Sequence, residues 1–249
     1  MRAFCTLGFL AAVTVGCVDS TGGTPPGTKP TLTVKGRVVD FESCLSAAGC
    51  KGAPNMKVAL FYDTAVASEK TGPDGGFTLK GVPVGGPGYV FISDASGEFK
   101  YLSALQAQPV RTDAGDVFGV EAFALSMRGG LYDGLVAEAK ARVETHALYL
   151  GQVVALKEGT MKALEGASAR TNPGSTVRYV RDNPRFNAGQ QTLFESARAA
   201  TGVFGQFIVI TKPDLLDYTI AAAAKGLQFP YVVAPLGAGY LTIGLHRPQ

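Results

Sequence analysis

From Thr31 to Val39 the stretch TLTVKGRVV alternates apolar and polar side chains and is rich in β-branched residues, the pattern of a strand with one buried face. Asn55 to Tyr62, NMKVALFY, repeats that pattern. Pro73-Asp74-Gly75-Gly76 is a dense turn signal, because proline presets φ and glycine accepts positive φ. It separates a strand expected to end near Thr71 from another, FTLKGV, starting at Phe77. A second turn, Val82 to Gly88, precedes YVFIS from Tyr89, and further short strands are expected over Lys100 to Leu105 and Val117 to Leu125. Gly130 to Ala147 breaks the rhythm. Leu131, Leu135, Ala139 and Val143 recur every four residues, with Glu138 and Arg142 placed to pair, which predicts an amphipathic helix covering a sheet edge or linking two domains.

From Leu148 the strand pattern returns, and with it an internal echo. TGPDGGF at 71–77 recurs as TGVFGQF at 201–207, and Gly36-Arg37-Val38-Val39 recurs as Gly151-Gln152-Val153-Val154. Gly52-Ala53 is matched to Gly166-Ala167, and the pair Tyr89 and Gly97 to Tyr218 and Gly226. The order is kept across both halves, which predicts a duplicated domain. Pro213 to Gly226, PDLLDYTIAAAAKG, has the composition of a helix, but its place in the repeat, in register with YVFIS, predicts a strand.

Gly36-x-Val38-Val39, then Gly52-Ala53-Pro54 leading into Val58-Ala59-Leu60, then TGPDGGFTLKGVPVG from Thr71, give residues 32–127 a sequence that resembles the carboxypeptidase regulatory-like family. Residues 148–249 resemble it less closely, keeping Thr201, Gly202, Gly205 and Phe207 but lacking the Gly-Val-Pro turn. The resemblance implies an all-β protein: two tandem transthyretin-like, Ig-like Greek-key β-sandwiches of about seven strands each, joined by a helical connector over 128–147. It further implies an accessory, adhesion or positioning module without an active site of its own.

The N-terminus changes the expected location. Arg2 precedes an apolar run, Ala3 to Val15, too short to span a bilayer comfortably and shaped like a secretory signal. Thr14-Val15-Gly16-Cys17 resembles the lipobox of bacterial lipoproteins, with Thr14 where that family usually has Leu. It implies a signal peptide over 1–16, lipidation at Cys17 and attachment to a membrane. Residue 18 is Val rather than Asp, which by analogy with lipoprotein sorting favours the outer membrane. Residues 17–31 then form a Gly-, Pro- and Thr-rich tether with a reach of roughly 20 Å. With Cys5 in the signal and Cys17 lipidated, Cys44 and Cys50 remain as an even pair in a chain bound for an oxidising compartment, which predicts a disulfide.

A net charge of +3, one unit of it from Arg2, gives no reason to expect a nucleic-acid partner. The two histidines, His146 and His246, are too few and too remote for a structural metal site, so neither metal nor cofactor is expected. The His-x-x-Glu pair of a zinc carboxypeptidase is absent. So are the Tyr-Arg-Gly-Ser terminus of the transthyretin-like hydroxyisourate hydrolase and the Gly-x-Ser-x-Gly turn of a serine hydrolase. A hydrolase of another arrangement would have to use His246. Arg170, Arg178, Tyr179, Arg181 and Arg185 form a candidate contact for an anion, a glycan or an envelope protein, although such a run usually marks a solvated face. The composite expectation is a non-catalytic, lipid-anchored binding or structural module, with an adhesin-like or accessory subunit of an envelope complex as the alternative.

Overall fold

The alternation at 31–39 becomes a central strand, β1 (Thr31–Asp40), in which Leu32, Val34 and Val38 are buried. A computed structural model describes residues 30–249 apart from 46–48, 114, 128–129, 186–191, 196–197 and 214–216. The expected signal segment and Cys17 lie outside the described residues. After β1 come β2 (Met56–Leu60), β3 (Gly76–Pro83), β4 (Val90–Asp94), β5 (Ala104–Gln106) and β6 (Val117–Ala124). Helix α1 (Leu131–Ala139) follows. The second half holds β7 (Ala147–Lys157), β8 (Thr160–Ala163), β9 (Ser168–Arg170), β10 (Thr176–Arg185) and β11 (Thr192–Phe194). It ends with β12 (Gln206–Thr211), β13 (Asp217–Ala223), β14 (Val232–Pro235) and β15 (Leu241–His246). Among the described residues the protein is all-β with one short α-helix. Residues 217–223 are a strand, as their place in the repeat predicts, whereas the strand expected to end near Thr71 is replaced by irregular chain.

The repeat is real down to individual hydrogen bonds. In the first half β1 is flanked by β3, antiparallel, and β6, parallel; in the second, β7 is flanked by β12 and β15 in the same senses. Gly36 lies opposite Phe77 and Gly151 opposite Phe207. A Cβ on either glycine would come within 3 Å of the facing ring, at 2.8 Å and 2.2 Å, so the phenylalanine lies over bare backbone. Gly75 and Gly205, both at positive φ, each accept an N–H through their carbonyls, from Val38 at 2.8 Å and Val153 at 2.7 Å. The Thr71 hydroxyl donates to the Ala53 carbonyl (2.7 Å) and accepts from the Met56 N–H (2.9 Å). The Thr201 hydroxyl does the same with Leu164 (2.7 Å) and Ala167 (3.0 Å).

These bonds correct two of the expected correspondences. Ala167 is the counterpart of Met56, and Gly166 of Asn55, which shares its positive φ; Ala53 corresponds to Leu164. Carried through the ladders β2–β4 and β9–β13, that register sets Ile92 against Ala222 and Tyr89 against Thr219, one residue from the expected Tyr218. Short echoes slide when the loops between them differ in length. Where the first half has a 3-10 helix (Glu42–Leu45) and the Cys44–Cys50 disulfide, the second has the β7–β8 hairpin.

The two halves share a sheet. Of the first half, β3-β1-β6 is one sheet, while β2-β4-β5 continues through β15 into the strands of the second half. The result is a nine-stranded sheet in the order β11-β10-β12-β7-β15-β5-β4-β2, with β8 attached to β7. The join is a parallel ladder, Leu241 to Ala104 and Ile243 to Gln106. Residues 32–127 and 148–249 therefore belong to one compact unit, Thr31–Gln249, rather than two units linked by a helix. The second half of the joined sheet is buried on both faces. Leu148, Leu150, Ile208 and Ile243 point into one core with the residues of β1 and β3, whereas Tyr149, Val153, Phe207 and Val209 point into another beneath β14-β13-β9.

Helix α1 covers part of the first core, with Leu131 and Leu135 packed beside Val180, Leu193 and Phe194. It stops at Ala139, because Lys140 takes the left-handed conformation (φ 55°), so it is shorter than the expected span to Ala147. The expected Glu138–Arg142 pairing gives way to a longer-range contact: the Glu138 carboxylate accepts the N–H groups of Leu193 and, at 3.1 Å, Phe194. At the other end Gly130 offers no capping side chain, and Glu42 from the disulfide loop accepts the Leu131 N–H at 2.6 Å. Burial holds the Glu42 carboxyl above its ordinary pKa even so.

Because the two threonines do the same work, Thr71→Val and Thr201→Val each remove a hydroxyl that satisfies two buried backbone groups. Each substitution is expected to cost about 1–3 kcal/mol in urea unfolding. A loss confined to one of the two would show that the duplicated bonds are not equivalent.

Candidate functional site

Beside the join between the halves lies a cleft of about 650 Å³. Its floor is the chain from Gln106 to Val110; one wall is β6, through Gly119, Val120, Glu121 and Phe123, and the other runs from Pro230 to Val233. Leu245, His246 and Arg247 close one end, and Tyr89 and Val90 another. This size and a mainly apolar lining are those of a ligand or peptide seat.

Both walls are strand edges. Among the described residues β6 pairs with β1 alone and β14 with β13 alone, so each has one edge with no neighbouring strand. Side chains close parts of each edge. The Gln106 amide pairs with both the N–H (3.0 Å) and the carbonyl (3.2 Å) of Phe123, as a neighbouring strand would. Gln108 does the same for Leu245, at 3.2 and 2.7 Å. The Tyr89 hydroxyl donates to the Val233 carbonyl across the cleft at 3.1 Å. Gly119, at φ 73°, sits in an irregular step of the β1–β6 ladder, which twists the edge beyond it. Glu121 and Arg247 are exposed and make no ion pair among the described residues.

Beneath the cleft, His246 is 1% exposed and its Nε2 lies 2.8 Å from the Tyr149 hydroxyl. Phe207 packs against both rings. Gly244 is required here, because a Cβ at that position would lie 1.9 Å from the same hydroxyl. His246 Nδ1 has no partner among the described residues, and desolvation pushes the imidazole pKa down to about 4. Burial likewise raises the Tyr149 hydroxyl far above its ordinary value. Both groups are neutral at pH 7. The contact of His246 is a tyrosine, not the serine or carboxylate that a hydrolytic arrangement requires.

The residues singled out in the sequence fall elsewhere. Cys44 and Cys50 form the expected disulfide. Arg170 is exposed at the end of β9, and Arg178 is exposed on β10. Tyr179, next along β10, points into the second core, where its hydroxyl accepts the Ala169 N–H at 2.9 Å. Arg181 donates to the Phe194 carbonyl at 2.8 Å. Arg185 pairs with Thr192 in the β10–β11 ladder, and its side chain lies outside the described residues. Tyr179 and Arg181 are thus engaged in holding strands together. The cleft glutamines were the missed residues; their only trace is the alternation Gln106-Ala107-Gln108 before Pro109. Among the described residues no group of three or more His, Cys, Asp or Glu is placed to hold a metal, and no helix is long and apolar enough to cross a membrane.

No family model matches the chain, and neither does any curated protein. Among solved structures it is similar to the minor pilin GBS52 of Streptococcus agalactiae, at 10% identity over 88% of this chain and 96% of that one, with a TM-score of 0.26. It is similar to the shaft pilin SpaA of Lactobacillus rhamnosus GG at 12% identity over 88% and 98%, also with a TM-score of 0.26. The TIE protein of Bacillus anthracis aligns at 9% identity with a TM-score of 0.23; the alignment takes in 88% of this chain but 34% of that longer one. Superpositions this loose transfer neither detailed topology nor function.

The buried imidazole has a pH signature. Its native pKa, near 4, is below the ordinary value of about 6.5, so the unfolded chain takes up a proton that the native state refuses. The stability from neutral His246 is complete above pH 6.5 and is lost as pH falls toward 4, by on the order of 3 kcal/mol. Urea midpoints measured across that range should fall with pH in the native sequence and fall less in His246→Gln. Equal slopes in the two would place the acid sensitivity elsewhere.

Proposed function

We propose that this chain is a lipid-anchored, non-catalytic module of a bacterial cell envelope, related to the carboxypeptidase regulatory-like, transthyretin-like domains and held at the outer membrane through Cys17. The observation that carries this reading is the duplicated β framework. Among its buried polar residues, Thr71, Thr201, Tyr149, Thr242 and His246 bond to backbone or to each other inside the cores. They shape and join strands instead of converging on a substrate. The Cys44–Cys50 disulfide supports an oxidising compartment. The lipobox-like TVGC and the polar tether support an anchor that holds the β unit a short distance from the bilayer.

The adhesin-like or accessory-subunit reading is favoured by a specific feature, the cleft walled by two strand edges, which is a seat for another polypeptide rather than for a metabolite.

The anchor is tested by mass spectrometry of the mature N-terminus and by fractionation of cells. The expected terminus is a lipid-modified Cys17, and Cys17→Ser should move the protein from the membrane to the soluble envelope fraction. An unmodified terminus at another residue, or unchanged membrane association of the variant, removes the lipoprotein reading.

A further inference from the structure

We propose that the β7–β8 hairpin of one molecule seats Leu156 and Met161 in the cleft of a second copy, so that the chain associates head to tail. The proposal deepens the structural-module reading and rests on it. β7 pairs with β15 as far as Val153 and with β12 as far as Gln152, and beyond that point it pairs only with β8. The hairpin therefore runs past the edge of the main sheet, turning through Glu158 and Gly159, both at positive φ. Leu156 and Met161 are direct cross-strand partners, 68% and 42% exposed, on an element whose residues 156–163 are all exposed. A two-stranded hairpin with an uncovered apolar pair is marginal in water and is stabilised when that pair is buried.

The same molecule presents the complementary hollow. The cleft lining is mainly apolar, and its wall offers Tyr231 at 75% and Val233 at 49% exposure. The charges also match. Lys157, at the hairpin tip, has no ion pair among the described residues, and neither does Glu121 in the cleft wall. The hairpin's own Lys162–Glu158 pair is exposed on both sides, so Glu158 can turn to Arg247 at little cost. Knob and hollow are different surfaces of one chain, which makes the contact heterologous and open to repetition. The Gln106 side chain already occupies the Phe123 backbone groups of one wall and Tyr89 the Val233 carbonyl of the other, which interrupts edge-to-edge strand pairing and favours a side-chain knob as the occupant. An interface of this small size is weak, in the micromolar to millimolar range.

The test uses the full chain carrying Cys17→Ser, so that lipid clustering plays no part and the outcome is separate from that of the anchor experiment. Sedimentation from about 1 µM to 1 mM should show mass rising with concentration and falling with added salt. Leu156→Asp with Met161→Asp removes the knob, and Val233→Arg fills the hollow; each variant alone should remain monomeric. Mixed together they should form one-to-one complexes that grow no further, because only one intact knob and one intact hollow remain. Tyr231→Ala, a milder change in the wall, should weaken self-association about tenfold, and circular dichroism with thermal melts checks that every variant is folded. Four results overturn the proposal: a parent chain monomeric across the range, knob variants that still associate, a mixture that forms no complex, or a mixture that grows beyond two chains.

Discussion

The architecture depends on β15 being hydrogen-bonded on both sides by parallel neighbours, β7 of its own half and β5 of the other. A strand in that position must satisfy two cores at once. Leu241 and Ile243 face the first, and Thr242 and His246 the second. The polar pair is tolerated because each member has a partner in the dry interior: Thr242 donates to the Pro235 carbonyl, and His246 lies against the Tyr149 hydroxyl. The cleft exists because the sheet continues straight across the join while the two outer sheets stop, leaving β6 and β14 as facing edges.

The strands and the repeat were legible where local chemistry dictates them. The Thr-Gly-x-x-Gly-x-Phe phrase could be read because each residue in it performs a task set by near neighbours. Threonine ties two backbone groups, the second glycine takes positive φ, and phenylalanine lies over a bare glycine of the next strand. The alanine-rich 217–223 was assigned correctly only through its place in the repeat, since composition alone favoured a helix. The match of Gly52-Ala53 to Gly166-Ala167 slipped because the intervening loops are unequal and short dipeptides recur by chance.

Partner choice was not legible. Strands such as ALQ and LTIGLH announce burial without saying beside what, so the join between the halves leaves no mark in either pattern. Helix α1 was overextended for a related reason. The four-residue spacing of Leu131, Leu135, Ala139 and Val143 continues after the helix ends, and Val143 is buried from a turn instead. Glu138 has the correct spacing for Arg142 but a better use in capping β11. The glutamines of the cleft act on backbone far away in sequence, Gln106 on Phe123 and Gln108 on Leu245, and no local pattern reports that.

The position of β15 in the chain has a consequence for how the protein is made. It is synthesised after every strand it joins, so the first half emerges with the β5 edge bare and the second with the β7 edge bare. Neither half can finish its sheet until residues 241–246 arrive and insert between them. During that interval two apolar strand edges stand open, the situation in which chains pair with the wrong neighbour. Completion of the joined sheet therefore waits on a single late strand.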